Sequence, residues 1–401
     1  MSLESILILT GVAVVLLAGS RLGFGNRRLP AILAPLANTG AVFILVGAVI
    51  GPSGTNLFSV GFLAQFNPLF VIGLGWIGFL YGSHLEWRLL RRYPVGLYGA
   101  ALLEATITFA VVALSSWWIL SRWMGLNPMA VDTQLAALML GICASGTAPA
   151  GIFQISSRHV AHHELNIIRF FAAVDDLPAL FLLGAMDAFF HPASLVGPWW
   201  VPIGWLLFSI ALGIGGGIVT HWVFPKEEDF RHNDLVLLGM ISLLAGAAEY
   251  FHLSPLLVTA LAGATFANIS PRKESAYGLL AQREHILYAI FLLMAGILLR
   301  LDWSHIYLLV PGFILLRGFG KITGGLTGWF LLLDRKNLHP MIGSGLLFQG
   351  GMTLAMAVNF EQIHGNPLAP QVATTVVVAV VVNDWLGPVV ANRALRKRRR
   401  A

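Results

Sequence analysis

The chain has 401 residues, of which 57% are hydrophobic and only 11% are charged. Soluble domains carry about 25% charged residues, so this composition excludes an ordinary soluble protein. The net charge of +6 comes from short loops and from the basic run at 396–400, which is typical of membrane topology and excludes nucleic-acid binding as its explanation. The single cysteine, Cys143, excludes a disulfide framework and a cysteine-based metal site.

Thirteen apolar segments follow one another, and most approach the roughly 20 residues that a bilayer span requires. They predict an all-α polytopic membrane protein with a single integral membrane domain over 1–401 and no appended soluble domain. No basic region precedes the first segment, so we expect a retained span there and not a cleaved signal peptide. In chain order the segments cover residues 4–22, 31–51, 66–82, 94–121, 133–157, 165–189, 200–223, 234–250, 254–269, 283–299, 305–333, 340–360 and 369–392.

Basic residues alternate between the loops that connect these segments. Loops after odd-numbered segments, with the C-terminal tail, hold 20 of the 25 Lys and Arg residues, whereas loops after even-numbered segments hold only Arg122 and Arg300. The positive-inside rule therefore predicts an N-terminus outside the cell and a C-terminus in the cytoplasm.

Two adjacent carboxylates, Asp175 and Asp176, lie in the sixth segment. If that segment enters the membrane near Glu164, Asp175 lies about 16 Å deep, close to the midplane. Charged groups at this depth cost at least about 2.5 kcal/mol and persist where they are paired or line a pathway. Adjacent helical residues point about 100° apart, so the two carboxylates face different partners. We interpret the pair as a functional site, and two structural carboxylates held by neighbouring helices are the alternative.

Basic side chains also lie at membrane depth. Lys321, near the middle of the eleventh segment, is the natural counter-charge for the aspartates. Arg317 lies one turn away on a similar face, and it either belongs to the pathway or forms a structural pair with an acid such as Glu249. Arg169 and Asp384 are further structural or pathway charges within predicted spans.

Two segments are predicted to be discontinuous. The fifth contains Ser145, Thr147 and Pro149, and Pro149 removes a backbone donor and disfavours helix at the residue before it. The twelfth contains Phe-Gln-Gly-Gly-Met-Thr at 348–353. Irregular backbone is tolerated at membrane depth only where protein buries it or a cavity wets it, and paired breaks indicate a transporter binding site. The alternative is that these small residues serve close helix packing.

The two halves of the chain correspond. Residues 1–189 form a first repeat, 190–233 a linker helix and 234–401 a second repeat with a basic cytoplasmic tail. Because the linker is a single span, the second repeat is inverted, and the sequence around Asp175 and Asp176 aligns with that around Asp384. The pattern predicts two inverted six-helix repeats, each with one discontinuous helix.

These residues resemble the monovalent cation:proton antiporter superfamily, specifically its bacterial NapA-like sodium/proton antiporter branch. The resemblance covers nearly the whole chain, and the double aspartate is its most specific motif. It implies the NhaA-like antiporter fold, in which the two discontinuous helices, here expected in the fifth and twelfth segments, cross. It also implies a homodimer in the inner (plasma) membrane of a bacterium and no cofactor. Membrane lipid, small cations and protons are the only expected partners besides a second copy. Further similar motifs lie at 51–54, 79–86, 249–257, 295–302 and 383–388.

Position by position, the resemblance implies roles for individual residues. Asp176 matches the ion- and proton-binding aspartate, Asp175 the neighbouring acid, and Lys321 the lysine that pairs with that acid. Thr147 and Ser145 lie in the unwound stretch beside the site, where the only metal expected is transported Na+.

The implied activity is electrogenic antiport of Na+ (or Li+) for H+ by alternating access, which is not an enzymatic reaction. A K+/H+ antiporter of the potassium-efflux type is the alternative, because Gln349 and its two following glycines match those relatives although Met352 replaces their acid. A channel, a transport-dead sensor and an intramembrane aspartyl protease are weaker alternatives. Histidines 159, 162 and 163 form either a solvated loop or a pH sensor.

Overall fold

The computed structural model describes residues 40–55, 67–153, 155, 160–224, 230–300, 303–333 and 338–396. The first predicted segment at 4–22, His159 and the basic tail beyond 396 lie outside the described residues. Within the described ranges the chain is helical and contains no strand, which confirms the all-α prediction.

Each predicted segment from the second to the thirteenth contains described helix. A 3-10 helix at Ile342–Leu346 precedes the last two α-helices. The α-helices are α1 Ala41–Ile50, α2 Asn67–Ser83, α3 Trp87–Leu90, α4 Val95–Arg122, α5 Val131–Ser145, α6 Pro149–Ile152, α7 His162–Val174, α8 Asp176–Phe189, α9 Pro192–Val196, α10 Val201–Val223, α11 Phe230–Tyr250, α12 Pro255–Ile269, α13 Lys273–Ile297, α14 Trp303–Leu332, α15 Gly351–His364 and α16 Ala369–Ala394.

The described helices that are long and apolar enough to cross a membrane are fewer than the predicted spans. Among the described residues they are Val95–Arg122, Val201–Val223, Asn233–Tyr250 and Ala369–Ala394. Several other spans are shorter or interrupted. The sixth segment, predicted as a span over 165–189, contains α7 and α8, which are interrupted only at Asp175.

Helices α4 and α14 pack closely along a stripe of glycines. A side-chain carbon at Gly320 or Gly324 would lie 3.0 Å from the Cα of Thr108 or 2.9 Å from the Cα of Glu104, respectively. Glycines four residues apart lie on one face of a helix, so they allow the two backbones to approach. This packing places Lys321, next to Gly320, against Glu104 of α4.

Candidate cation site

The first predicted break separates α5 from α6. Gly146 and Ala148 are extended, with φ/ψ of −75°/155° and −76°/116°. Pro149 then begins α6 at the first helical position, where its missing N–H is not needed. The break leaves the last carbonyls of α5 without helical partners.

The second break precedes α15. The 3-10 helix ends at Leu346, and the chain runs without helix through 347–350 before α15 begins at Gly351. Gly350 has φ −149° and ψ −159°, an extended conformation. Both discontinuities therefore occur where the sequence predicts them.

The two breaks contact each other. The backbone N–H of Ala148 donates to the carbonyl of Phe348 at 3.2 Å. Gln349 spans the crossing, because its Nε2 donates to the carbonyl of Cys143 at 3.1 Å and its Oε1 accepts from Asn383 Nδ2 at 2.7 Å. The unwound stretches thus cross in the protein interior.

Arg317 holds the crossing together. Its side chain is fully buried, and it donates five hydrogen bonds to backbone carbonyls in the two breaks and at the helix ends beside them. It does not pair with Glu249, which accepts instead from Asn67 Nδ2 at 2.6 Å. The accepting carbonyls belong to Ala144, Gly146, Leu346, Leu347 and Phe348.

Asp175 lies at the junction of α7 and α8, beside the crossing. Its Oδ2 accepts from Thr147 Oγ1 at 2.6 Å and from Lys321 Nζ at 3.0 Å. Asp175 and Lys321 are both fully buried. The structure therefore brings together the acid, the lysine and the unwound threonine that the sequence singled out.

Lys321 has a second carboxylate partner that the sequence reasoning missed. Its Nζ lies 3.2 Å from Glu104 Oε2, and it also donates to the carbonyl of Ser145. Glu104 is fully buried, and its other oxygen accepts from Thr108 Oγ1 at 2.9 Å. The signal was available, because Glu104 is an acid well inside the predicted span 94–121.

Ser145 contributes its backbone carbonyl to the site. Its hydroxyl donates to the carbonyl of Ile142, within its own helix, at 2.8 Å. The side chain that sequence reasoning placed beside the ion is therefore occupied by a local hydrogen bond in this structure.

Asp176 is the first residue of α8 and is 3% exposed. Among the described residues, its Oδ1 has no hydrogen-bond partner. This oxygen faces the first break so closely that a side-chain carbon at Gly146 would collide with it, and Thr353 Oγ1 lies 3.6 Å from the same position. A buried ionised oxygen without a partner is costly, so this atom favours a proton or a cation.

The remaining sequence candidates lie apart from this cluster or touch it only indirectly. Arg169 is exposed, and its guanidinium stacks 4.9 Å from the centre of the Phe153 ring. Asp384 is buried on α16, directly after the Asn383 that binds Gln349.

Crossed unwound helices beside buried carboxylates, within an all-helical apolar fold, define a secondary ion transporter. A family model described as "Sodium/hydrogen exchanger, transmembrane" matches residues 10–397. The chain therefore belongs to the sodium/hydrogen exchanger family, and its activity is the exchange of Na+ for H+ across a membrane.

The fold is similar to solved structures of the sodium proton antiporter MjNhaP1 from Methanocaldococcus jannaschii. The structure at pH 8 matches with a TM-score of 0.66 and 15% identity over 98% of this chain and 100% of that one. An electron-microscopy map of the same antiporter matches with a TM-score of 0.60 and 16% identity over 98% and 96%. At this identity the likeness shows the fold alone. No curated protein matches the chain.

Proposed function

We propose that transported Na+ and H+ bind in turn at Asp176, with Asp175 as the second carboxylate and without a cofactor. The observation that carries this proposal is the buried Oδ1 of Asp176 beside the crossing, which has no hydrogen-bond partner among the described residues. Oδ1 of Asp175 is likewise without a partner, but Oδ2 of Asp175 is held by Thr147 and Lys321. A proton or a small cation bound to Asp176 Oδ1 removes the free-energy cost of burying that oxygen without a partner. The proton and the cation therefore compete for the same atom. Competition at one site couples the two fluxes, provided that the site faces one side of the membrane at a time.

The cation is Na+ or Li+ and not K+. Carboxylate and carbonyl oxygens are suited to small hard ions, and the breaks provide carbonyls beside Asp176. Gln349, which suggested the potassium-efflux type, is used to bridge Cys143 and Asn383 across the breaks. Because these contacts hold the two breaks together, Gln349 has a structural role and does not argue for potassium. This favours Na+ or Li+ as the cation.

The exchange is electrogenic in this proposal. Lys321 Nζ lies 3.0 Å from Asp175 Oδ2. A cation at Asp176 draws Asp175 away from Lys321, and the lysine then releases a proton. The charge on Lys321 would in this way vary during the cycle.

The wider arrangement belongs to the same proposal. The chain acts as a homodimer in a bacterial plasma membrane, with its C-terminus in the cytoplasm. Repeats at 1–189 and 234–401 surround the linker 190–233, and the position of one break in each repeat supports that division.

The test is exchange in proteoliposomes with an imposed pH gradient, scanned with Na+, Li+ and K+. We expect Na+ or Li+ to dissipate the gradient and K+ to do so at least about tenfold less well, a difference of about 1.4 kcal/mol. Asp176→Asn should abolish exchange in a folded protein, because the amide neither carries the proton nor neutralises the cation. Glu249→Gln, which changes a carboxylate outside the cluster, is the control.

Two results contradict the proposal. Cation-dependent proton movement at the wild-type rate in Asp176→Asn would remove Asp176 from the site. Equal exchange of K+ and Na+ at equal concentration would restore the potassium alternative.

A further inference from the structure

An apolar groove opens on the flank of the molecule between α4, α8 and α12. Its volume is about 680 Å³. Its floor includes the buried Val174 and Ala260, and its rim includes Leu102 and Phe181, whose side chains are 54% and 53% exposed. The groove therefore runs inward from the membrane-facing surface to the helix pair that carries Asp175 and Asp176.

The wall of this groove offers no free polar group among the described residues. Only Tyr98 and Thr106 have polar side chains there. The Tyr98 hydroxyl donates to the carbonyl of Leu90 at 2.5 Å, and Thr106 Oγ1 donates to the carbonyl of Leu102 at 2.7 Å. A wall without available ligands does not stabilise an ion, so the groove is not the cation path.

The shape of the groove suits a hydrocarbon chain. On α4 the lining extends from Tyr98 to Phe109, which is about 16 Å at 1.5 Å per residue. Because the surrounding solvent at this depth is lipid, an acyl chain from the bilayer is the apolar molecule present at the highest concentration.

One end of the groove lies beside an exposed basic segment. Leu85 lines the groove, and three exposed arginines follow it closely in sequence. Trp87, also exposed, has the guanidinium of one of them 4.9 Å from its ring centre. The arginines are Arg88, Arg91 and Arg92.

The basic segment is fixed to the groove by Asn268. Asn268 Nδ2 donates to the carbonyl of Leu85 at 2.9 Å, and its Oδ1 accepts from the N–H of Trp87 at 2.8 Å. Asn268 lies one turn after Ala264, which lines the groove. The nearby carboxylate of Glu86 is paired with Lys273 and leaves the arginines available.

We propose that this groove binds one acyl chain of an anionic phospholipid whose phosphate is held by Arg88, Arg91 and Arg92. Basic clusters at the membrane surface attract anionic lipids, and arginine binds phosphate with two parallel hydrogen bonds. The apolar wall and the basic end together select a molecule with a hydrocarbon tail and a negative headgroup.

The test is native mass spectrometry of the full chain in detergent, titrated with dioleoyl phosphatidylglycerol or dioleoyl phosphatidylcholine. We expect the anionic lipid to bind at least about tenfold more tightly. The double variant Arg88→Gln/Arg91→Gln should lose that preference. The control Arg393→Gln/Arg396→Gln removes two equally exposed arginines elsewhere and should keep it.

Variants of the groove test the acyl chain separately from the headgroup. Ala264→Phe fills the groove from α12. Thr106→Trp narrows the groove at its exposed rim, where a larger side chain disturbs folding less. Both should weaken binding of either lipid about tenfold, whereas Ala211→Phe on the exposed face of α10 should not.

Three results overturn the proposal. If the variant Arg88→Gln/Arg91→Gln still prefers phosphatidylglycerol, the lipid headgroup binds at another site. Unchanged binding in both filling variants removes the groove as the site. Efficient cross-linking between two copies of Phe181→Cys would show that a second copy of the chain covers the groove instead.

Discussion

At the scale of single residues, Lys321 has more negative partners than one lysine can neutralise. Glu104 and Asp175 lie 3.2 and 3.0 Å from its Nζ, and all three side chains are fully buried. Asp176 follows Asp175 directly, and its Oδ1 has no hydrogen-bond partner in the described structure. The cluster therefore holds more carboxyl groups than Lys321 can pair with, and in the proposed function a proton or Na+ neutralises this excess.

Lys321→Gln tests whether the lysine carries charge through the transport cycle. The glutamine keeps a long polar side chain but cannot titrate. We expect exchange that is electroneutral or absent, measured as loss of the Na+-induced current on a solid-supported membrane. A stable variant that remained fully electrogenic would contradict the prediction.

Glu104→Gln is the matched variant, because it removes the other carboxylate and leaves Lys321 paired with Asp175. With less competition for its charge, Lys321 should hold Asp175 more firmly. We expect the current to persist while the KM for Na+ rises by roughly tenfold. A purely structural role for Glu104 would instead lower the melting temperature and leave the KM unchanged.

At the scale of helices, the breaks are stable because one side chain replaces the missing helical hydrogen bonds. Arg317 reaches carbonyls of both breaks, which lie about 170 and 30 residues away along the chain. A planar guanidinium with five donors suits this task, whereas an ammonium presents three donors from a single atom. Arg317 is thus a scaffold residue for the crossing.

Arg317→Lys should consequently destabilise the protein while conserving its charge. Unsatisfied buried carbonyls cost about 1–3 kcal/mol each, so a loss of at least about 3 kcal/mol is expected. The melting temperature in detergent should fall by at least about 5 °C. Arg169→Lys, at an exposed arginine, is the control and should change stability by no more than about 0.5 kcal/mol. Equal melting temperatures for the two variants would refute the scaffold role.

The connection between α8 and α10 contains a histidine, His191, whose hydrogen bonds require the neutral form of the ring. His191 Nδ1 accepts from the N–H of Ala193 at 3.2 Å, so Nε2 carries the proton that is donated to the carbonyl of Phe251 at 3.1 Å. The ring stacks on Trp205 with centroids 3.9 Å apart. Burial lowers the pKa of His191 from 6.5, the hydrogen bond to the Phe251 carbonyl partly offsets this, and the nearby His252 lowers the pKa further.

The lowered pKa predicts a loss of stability in acid. The folded state binds fewer protons at this site than the unfolded state, so stability is full above pH 6.5 and declines as the pH falls below it. The melting temperature should be lower at pH 5 than at pH 7.5. His191→Asn replaces the capping Nδ1 by an amide oxygen that can accept the same N–H, and the amide does not titrate, so this difference should shrink. If the difference stays the same size in His191→Asn, the histidine is not its source.

At the scale of the whole molecule, the length of the apolar segments predicts the order of the helices, and the charge of the loops predicts their side of the membrane. Both patterns arise because the bilayer imposes them. Pro149 and Gly350 likewise mark the breaks, since local chemistry disfavours helix there. The interruption at Asp175 was missed, although Pro178 cannot donate to the carbonyl of Val174 and so marks where α7 ends. The contacts of Arg317 with distant carbonyls have no local signal, because they depend on how the helices pack.

Orientation in the membrane is the property of the whole chain that loop charge predicts. Helix α4 runs from Val95 to Arg122, so we expect Tyr93 and Met129, beyond its two ends, to lie on opposite sides of the membrane. Both are exposed, at 43% and 75%. With the basic loops inside, a membrane-impermeant maleimide added to intact cells should label Met129→Cys and not Tyr93→Cys. The native Cys143 is buried and should not react. The opposite labelling would reverse the orientation, and labelling of both positions would show that α4 does not cross the membrane.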